Sequence, residues 1–405
     1  MKAKYLLASL FPRTLVLNIK FINQWLYRCR KHRMLIETDL QLDNISKSHT
    51  HVFFGYYDIS PFNEKTDEII YLNLPESSNK VSIMRSRLND FKKEDLIGES
   101  SAWSWQQGIR LRWMPDNDRE IIFNDYVDGN YMSKIINIDN GAERRISAPL
   151  YDISSNGEFG LSVDFERLES KRPGYGYSCR PYTEEGKDLT KEGIDLVSIK
   201  ENTTERILTY GQIAKACGNS RIDFTKAYIN HISFSPNGKK FLFFWIVIEG
   251  NKHKASLVVY DFVTKSIKPI ETEDIVSHYV WDTDDKIICT AYNNEAQCFY
   301  YEYNVADGNK VMLNKESLCE DGHPSLYKDG KILTDTYPNL DGYQQLFIAG
   351  KETGKELLLN IYSTCKKEGP QRTDLHPRLD LEKKTVCFDA NVKGFRTLNF
   401  IRIGE

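Results

Sequence analysis

No two of the eight cysteines stand in a CxxC pair. A zinc ribbon, which needs such pairs, is therefore excluded. Cys289 and Cys387 fall inside apolar runs and read as buried thiols of a reduced, cytoplasmic protein. The chain also lacks a P-loop or a GxGxxG after a strand, so no nucleotide site is signalled. It has no uninterrupted apolar run long enough to cross a bilayer. Arg13 and Lys20 break the best one, and no small-x-small cleavage site follows it. Nor is there a basic body for nucleic acid. Residues 1–33 carry eight Lys or Arg and no acid; removing them from the totals of 54 basic and 57 acidic residues leaves 46 against 57, a net −11.

That N-terminal excess flanks a helical stripe. Leu15, Ile19, Ile22 and Leu26 share one face, with Trp25 beside them. Residues 1–33 are expected to form a basic amphipathic helix, lying on an anionic membrane surface at its inner face or packed on the protein's own body. The remainder, residues 34–405, holds most of the 23 Tyr and 20 Phe, a composition that favours strands.

Those strands repeat. NHISFSPNGKKFLFF, SHYVWDTDDKIICT, GHPSLYKDGKILTD and LHPRLDLEKKTVCF align without gaps on His231, His278, His323 and His376. A lysine follows eight residues after each histidine, and an apolar strand comes next. The histidines are 47, 45 and 53 residues apart. Three weaker units precede them and put Tyr56, Arg110 (with one inserted residue) and Leu150 at the same position; two of these share the tetrapeptide YDIS. Each unit is followed by a second alternating strand pair, as in GIDLVSIKENTTERIL. A period near 50 with four strands per unit predicts an all-β, seven-bladed β-propeller. The terminal strand RTLNFIRI lacks a following partner, so a strand near 34–45 is expected to close the ring. The distance from Leu150 to His231 exceeds the period, and the excess is assigned to an insertion loop at about 166–193.

The innermost strands of a propeller converge on its axis. His231, His278, His323 and His376 are therefore expected as an arc at one mouth, as metal ligands or acid/base groups. A histidine at a fixed blade position can also serve its own blade as a hydrogen-bonding device. The register is absent from the first three units, which argues against a need common to every blade. Polar and aromatic residues at the same mouth, Tyr57, Asp58, Trp105, Gln107 and Arg110, are the candidate ligand contacts, with Trp103, Tyr56 and Trp281 as further aromatics. Trp281 reads as blade core.

The stretch LHPRLDLEKKTVCFDANVKGFRTLNFIRI resembles the closing blade of the oligogalacturonate lyases, and SHYVWDTDDKIICT and GHPSLYKDGKILTD resemble the two blades before it. The resemblance covers roughly the last 180 residues. It implies a seven-bladed propeller that holds a divalent cation, manganese first, with calcium or zinc as alternatives, and splits uronate chains by β-elimination. It implies His323, Gln371 and His376 as ligands, with Asp374 where the family has a further histidine. It implies His278 as the active-site histidine, with Lys254 near the place of the family's arginine. Catalysis would rest on His278, Lys254 and His231, and the partner would be an acidic glycan, in the assembly or editing of a surface polysaccharide. A non-catalytic glycan- or partner-binding propeller and a transferase using the same pocket are the alternatives.

Overall fold

The computed structural model describes residues 36–404 except 220, 340–341, 363–368 and 393. The amphipathic segment 1–33 lies outside the described residues. Seven antiparallel sheets follow one another along the chain, each a four-stranded meander except one of five. The first blade runs from Thr50–Phe53 to Asp90–Ser100, and the next four follow in order. The protein is a seven-bladed β-propeller.

Burial explains why these runs become strands. In the fourth blade the second strand, Lys240–Glu249, buries six consecutive residues from Phe241 to Ile246. It is covered by a neighbouring blade on each face, so alternation gives way to a continuous apolar run. Outer strands face water and read as polar; Thr203–Thr209 is largely exposed and Lys310–Met312 wholly so. The turn chemistry fits too. Asp329 and Gly330 both take left-handed backbone (φ 59° and 69°), as a tight two-residue hairpin turn needs. The serine of the second YDIS, and its counterpart in the next blade, cap the turn between inner and second strands. Ser154 Oγ accepts from Phe159 N at 3.0 Å, and Ser235 Oγ from Lys240 N at 3.1 Å.

Ring closure uses the N-terminal strand as expected, and the segment is shared between two blades. Leu42–Ile45 pairs antiparallel with Phe395–Arg402 and becomes the outer strand of the last blade. Ile36–Glu37 instead adds a fifth strand to the sixth blade, pairing with Lys355–Tyr362.

The insertion differs from the expected loop. It opens with a helix, α1 (Phe165–Lys171), whose N-cap Asp164 accepts from Arg167 N. Part of the surplus length also lies further on. A second helix, α2 (Tyr210–Ala216), begins with a capping box between Thr209 and Gln212. Helices as short as these carry too few residues for a clear helical stripe, so strand periodicity masks them. All six described cysteines are free thiols, with Cys289 and Cys387 buried. No helix among the described residues is long and apolar enough to cross a membrane.

A chain starting at residue 47 would lack Leu42–Ile45 and leave the edge of Phe395–Arg402 open. Loss of buried Ile45 alone should cost at least about 2 kcal/mol, and the exposed edge should promote self-association. Denaturant unfolding and gel filtration check this; an unchanged transition would show the strand to be dispensable.

Candidate functional site

The four histidines meet at one mouth of the channel, and at His231 and His278 the inner strand kinks to bring them there. In Ala227–Phe234 the pairing steps from Asn230–Phe244 to Ser233–Leu242, so two residues, one of them His231, oppose one. The same bulge occurs at His278, between Val276–Ala291 and Tyr279–Cys289. A bulge re-aims a side chain, here toward the axis. His231 and His376 take left-handed backbone (φ 51° and 47°), as does Arg110 (φ 53°) at the equivalent position of the second blade. Such conformations in non-glycine residues carry a cost that the surrounding packing must hold.

The rings form an arc. Centroid separations are 6.2 Å for His231–His278, 4.2 Å for His278–His323 and 4.5 Å for His323–His376. Tyr56, the counterpart in the first blade, closes it, stacking on His231 at 5.0 Å and meeting His376 at 4.7 Å. Arg378 donates to the carbonyls of Gly55 and Tyr56 and pairs with buried Asp389 at 3.2 Å. It thereby holds Tyr56 at the centre. Gly55 (φ 147°) has no room for a side chain, since a Cβ there would lie 3.0 Å from the Gln107 carbonyl oxygen.

Three of the four imidazoles are fixed through Nδ1. His323 Nδ1 lies 2.9 and 3.0 Å from the two Asp335 oxygens, and His278 Nδ1 lies 3.0 Å from Asp321 Oδ1. His376 Nδ1 donates to the Gly55 carbonyl at 3.0 Å. A carbonyl or carboxylate oxygen only accepts, so in the neutral ring Nδ1 carries the proton and Nε2 keeps its lone pair. In His323 and His376 that Nε2 atom is buried with no hydrogen-bond partner. An orphaned buried acceptor is costly unless something binds it. Asp374 completes the group: one donor atom from each of His323, Asp374 and His376 lies within 4.8 Å of the others. These three residues form a possible His/Asp metal site. Two histidines with carboxylate or carbonyl partners on the far nitrogen are the usual support for metal ligation. Asp374 also accepts from Arg372 Nε at 2.9 Å, and Arg372 donates to Tyr175 Oη at 2.6 Å.

The charge states follow the surroundings. Burial and the neighbouring His278 hold His231 well below the usual imidazole range, and burial and His323 do the same to His376. Burial also lowers His278, against the pull of Asp321. For His323 burial is outweighed by the Asp335 carboxylate, and its pKa is raised. Asp321 is held at about 2, because His278 and Ser277 outweigh its burial.

The other expected site residues are distributed differently. Tyr57 is buried and bridges to the fifth blade, donating to the Tyr279 carbonyl at 2.7 Å. Asp58 makes a two-pronged ion pair with Arg110 at 3.1 and 2.8 Å. Gln107 donates to Tyr151 Oη at 2.6 Å and Asn230 Oδ1 at 3.1 Å. Asp58 and Arg110 thus satisfy each other, and Gln107 is held through its amide nitrogen, while its Oε1 is buried without a hydrogen-bond partner. Trp105 packs with His51, Trp103 and Arg396, not against the four histidines of the arc. Gln371 is exposed on the loop leading to Asp374. Lys254 is exposed on Lys252–Asp261, the third strand of its blade, and makes no hydrogen bond or ion pair with the histidine arc. Tyr57, Asp58, His231 and Trp281 line a cavity of about 390 Å³ together with Tyr56.

Sequence reasoning missed Asp321, Asp335, Arg372, Tyr175 and Arg172. Asp335 had a signal, as the one charged residue in the strand Ile332–Asp335. Asp321 sits two residues before His323, in a stretch with no strand pattern.

No protein-family model matches the chain, and no curated protein does. Solved structures do. An oligogalacturonate lyase in complex with manganese aligns at 13% identity over 91% of this chain and 94% of that one, with a TM-score of 0.67. An oligogalacturonate lyase from Vibrio parahaemolyticus aligns at 11% identity over 91% and 98%, with a TM-score of 0.64. The chain shares the fold of the oligogalacturonate lyases. The tricorn protease also aligns, at 12% identity over 86% of this chain and 34% of that one, with a TM-score of 0.53. At such identities the likeness is one of fold, and chemistry has to be argued from the site.

Replacing Arg378 with Met should strand Asp389 as a buried carboxylate and release Gly55 and Tyr56. We expect a loss of roughly 3–5 kcal/mol in denaturant unfolding. A loss below about 1 kcal/mol would mean that Arg396, 3.9 Å from Asp389, suffices as its partner.

Proposed function

We propose that this protein binds a divalent cation through His323, Asp374 and His376 and cleaves an acidic, uronate-type glycan by β-elimination. The observation that carries the reading is the pair of buried, unpartnered Nε2 atoms of His323 and His376 beside the Asp374 carboxylate. Two imidazoles and a carboxylate suit manganese, the ion named with the lyase of the same fold, and also zinc or calcium. Gln371, on the same loop, is a further candidate ligand. When bound, the cation would neutralise the uronate carboxylate and make the adjacent C5 proton more acidic.

The chain's own groups then have distinct roles. Burial keeps His278 neutral, so its Nε2 can accept the C5 proton. Asp321, ionised at any ordinary pH, steadies the imidazolium that forms. The electrons of the C5–H bond form the C4=C5 double bond while the C4–O bond breaks. The departing oxygen needs a proton. Tyr56 and Tyr337 are phenols held protonated at the arc, Tyr337 with its ring 5.7 Å from His323. His231 Nε2 lies 3.5 Å from Tyr56 Oη and accepts from Asn230 Nδ2 at 3.2 Å, so it can orient the Tyr56 hydroxyl by accepting from it. The proton taken up by His278 restores the phenol through water after the product leaves. Lys254, exposed on its strand, has no part in this scheme.

The basic segment 1–33 supports placement at the inner face of an anionic membrane, where assembly or editing of a surface polysaccharide would occur. A non-catalytic glycan-binding propeller is the second reading. It is favoured by the Arg372–Asp374 ion pair, which already occupies one of the three prospective ligands.

Elemental analysis and product assay on three proteins test this. The wild type should carry about one divalent ion per chain and release unsaturated products from a uronate polymer. His323→Ala/His376→Ala should lose both properties. His278→Ala should keep the ion and lose at least about 100-fold in rate. No metal in reloaded wild type would overturn the metal-assisted reading; metal without product on uronate polymers would favour the binding propeller.

A further inference from the structure

The wall of the site next to His231 comes from the segment that interrupts the propeller's period. Helix α1 ends at Arg172, whose N–H donates to the Leu168 carbonyl at 2.8 Å. Glu169 then folds the chain back: its carboxylate accepts from Gly174 N at 2.8 Å and Gly176 N at 3.1 Å. The turn admits no side chain at either glycine. A Cβ on Gly176 would fall 2.0 Å from the Phe165 carbonyl oxygen, and one on Gly174 2.9 Å from Pro370 Cα. Tyr175, between them, is thereby set against the arc, its ring 5.8 Å from His231 and 6.2 Å from Tyr56.

Two guanidiniums flank that ring. Arg372 lies 5.6 Å from its centroid and Arg172 5.3 Å. Their charge balance differs. Arg372 pairs with Asp374, Arg110 with Asp58, and Arg378 with Asp389. Arg172 has no carboxylate within ion-pair distance among the described residues. It is only half-buried, yet it is near enough to help hold down the pKa of both His231 and His253. Glu169, three residues earlier, is occupied by the glycine amides. Against its burial, the phenols of Tyr175 and Tyr228 favour the charged guanidinium, so it stands at the mouth as a cation balanced by no carboxylate, and its planar fork matches one.

We propose that Arg172, fixed against Tyr175 by the 166–193 insertion, is the anchor for a carboxylate of the glycan. The inference rests on the acidic-glycan reading and deepens it: recognition of acidity resides in the insertion rather than at Lys254, near where the resemblance put the arginine. Arg172 is a binding residue in this scheme, and the transferred proton does not pass through it.

Calorimetric titration with a galacturonate oligomer and with its methyl-esterified counterpart tests the idea on the full chain. The wild type should bind the acid more tightly than the ester. Arg172→Ala should weaken binding of the acid about 10- to 100-fold and leave metal content and thermal midpoint near those of wild type. Arg172→Lys, which keeps the charge without the fork, should fall between. Arg172→Gln guards against a folding defect in the alanine variant. An alanine variant that binds the acid as wild type does overturns the proposal, as does a wild type that does not prefer the acid. Arg172-dependent binding of the acid without any unsaturated product would support the anchor while overturning the elimination reading.

Discussion

A single buried guanidinium joins the beginning and the end of the ring. Arg378, at the start of the last inner strand, pairs with Asp389 on the neighbouring strand and holds the carbonyls of Gly55 and Tyr56 from the first blade. Arg378 and Asp389 are both almost fully buried. A buried ion pair is a weak source of net stability, since desolvation offsets most of its attraction. Its effect here is positional: it sets Tyr56 between His231 and His376, and the Gly55 carbonyl it engages also receives His376 Nδ1. Ring closure and site assembly are thus one event.

Around that junction the polar groups sort into two kinds. Tyr57, Asp58, Arg110 and the amide nitrogen of Gln107 bond to partners inside the protein and tie the first blade to the second and fifth, and the second to the third. His323 and His376 bond inside the protein through one nitrogen only, and their other nitrogen stays buried and unpartnered. A fold that satisfies nearly all of its buried polar groups leaves exceptions where a ligand can supply the missing bond. This asymmetry separates a site from a structural histidine better than the repeat register does.

The insertion adds what the regular blades do not. Repeated blades present similar strand ends, so chemistry specific to this chain has to come from segments outside the period. Helix α1 and the turn at Gly174–Gly176 bring Tyr175 and Arg172 to the mouth, and the tight contact of Gly174 with Pro370 joins them to the loop that bears Arg372 and Asp374. The lyases of the same fold align over almost the whole chain at 11–13% identity. Architecture is therefore held in common where few side chains are.

Period, turn chemistry and apolar runs are local properties, and they suffice to read seven blades, the closing strand and the equivalence of Tyr56, Arg110 and the four histidines. Each depends on residues near in sequence, where strand alternation and left-handed turn positions are visible directly. The short helices α1 and α2 escape such a reading because one or two turns leave no periodic trace. The site is legible only in outline. That His323, Asp374 and His376 gather follows from strand equivalence and resemblance. Which nitrogen of each imidazole is left over does not, because Asp335, Asp321 and the Gly55 carbonyl approach from other strands or another blade. Nor does the exposure of Lys254 and Gln371, or the pairing of Arg372 with Asp374. The sequence by itself determined which residues share a blade position; the tertiary structure decided which of their atoms are already bonded, because hydrogen-bond satisfaction in a desolvated channel is settled by neighbours distant along the chain.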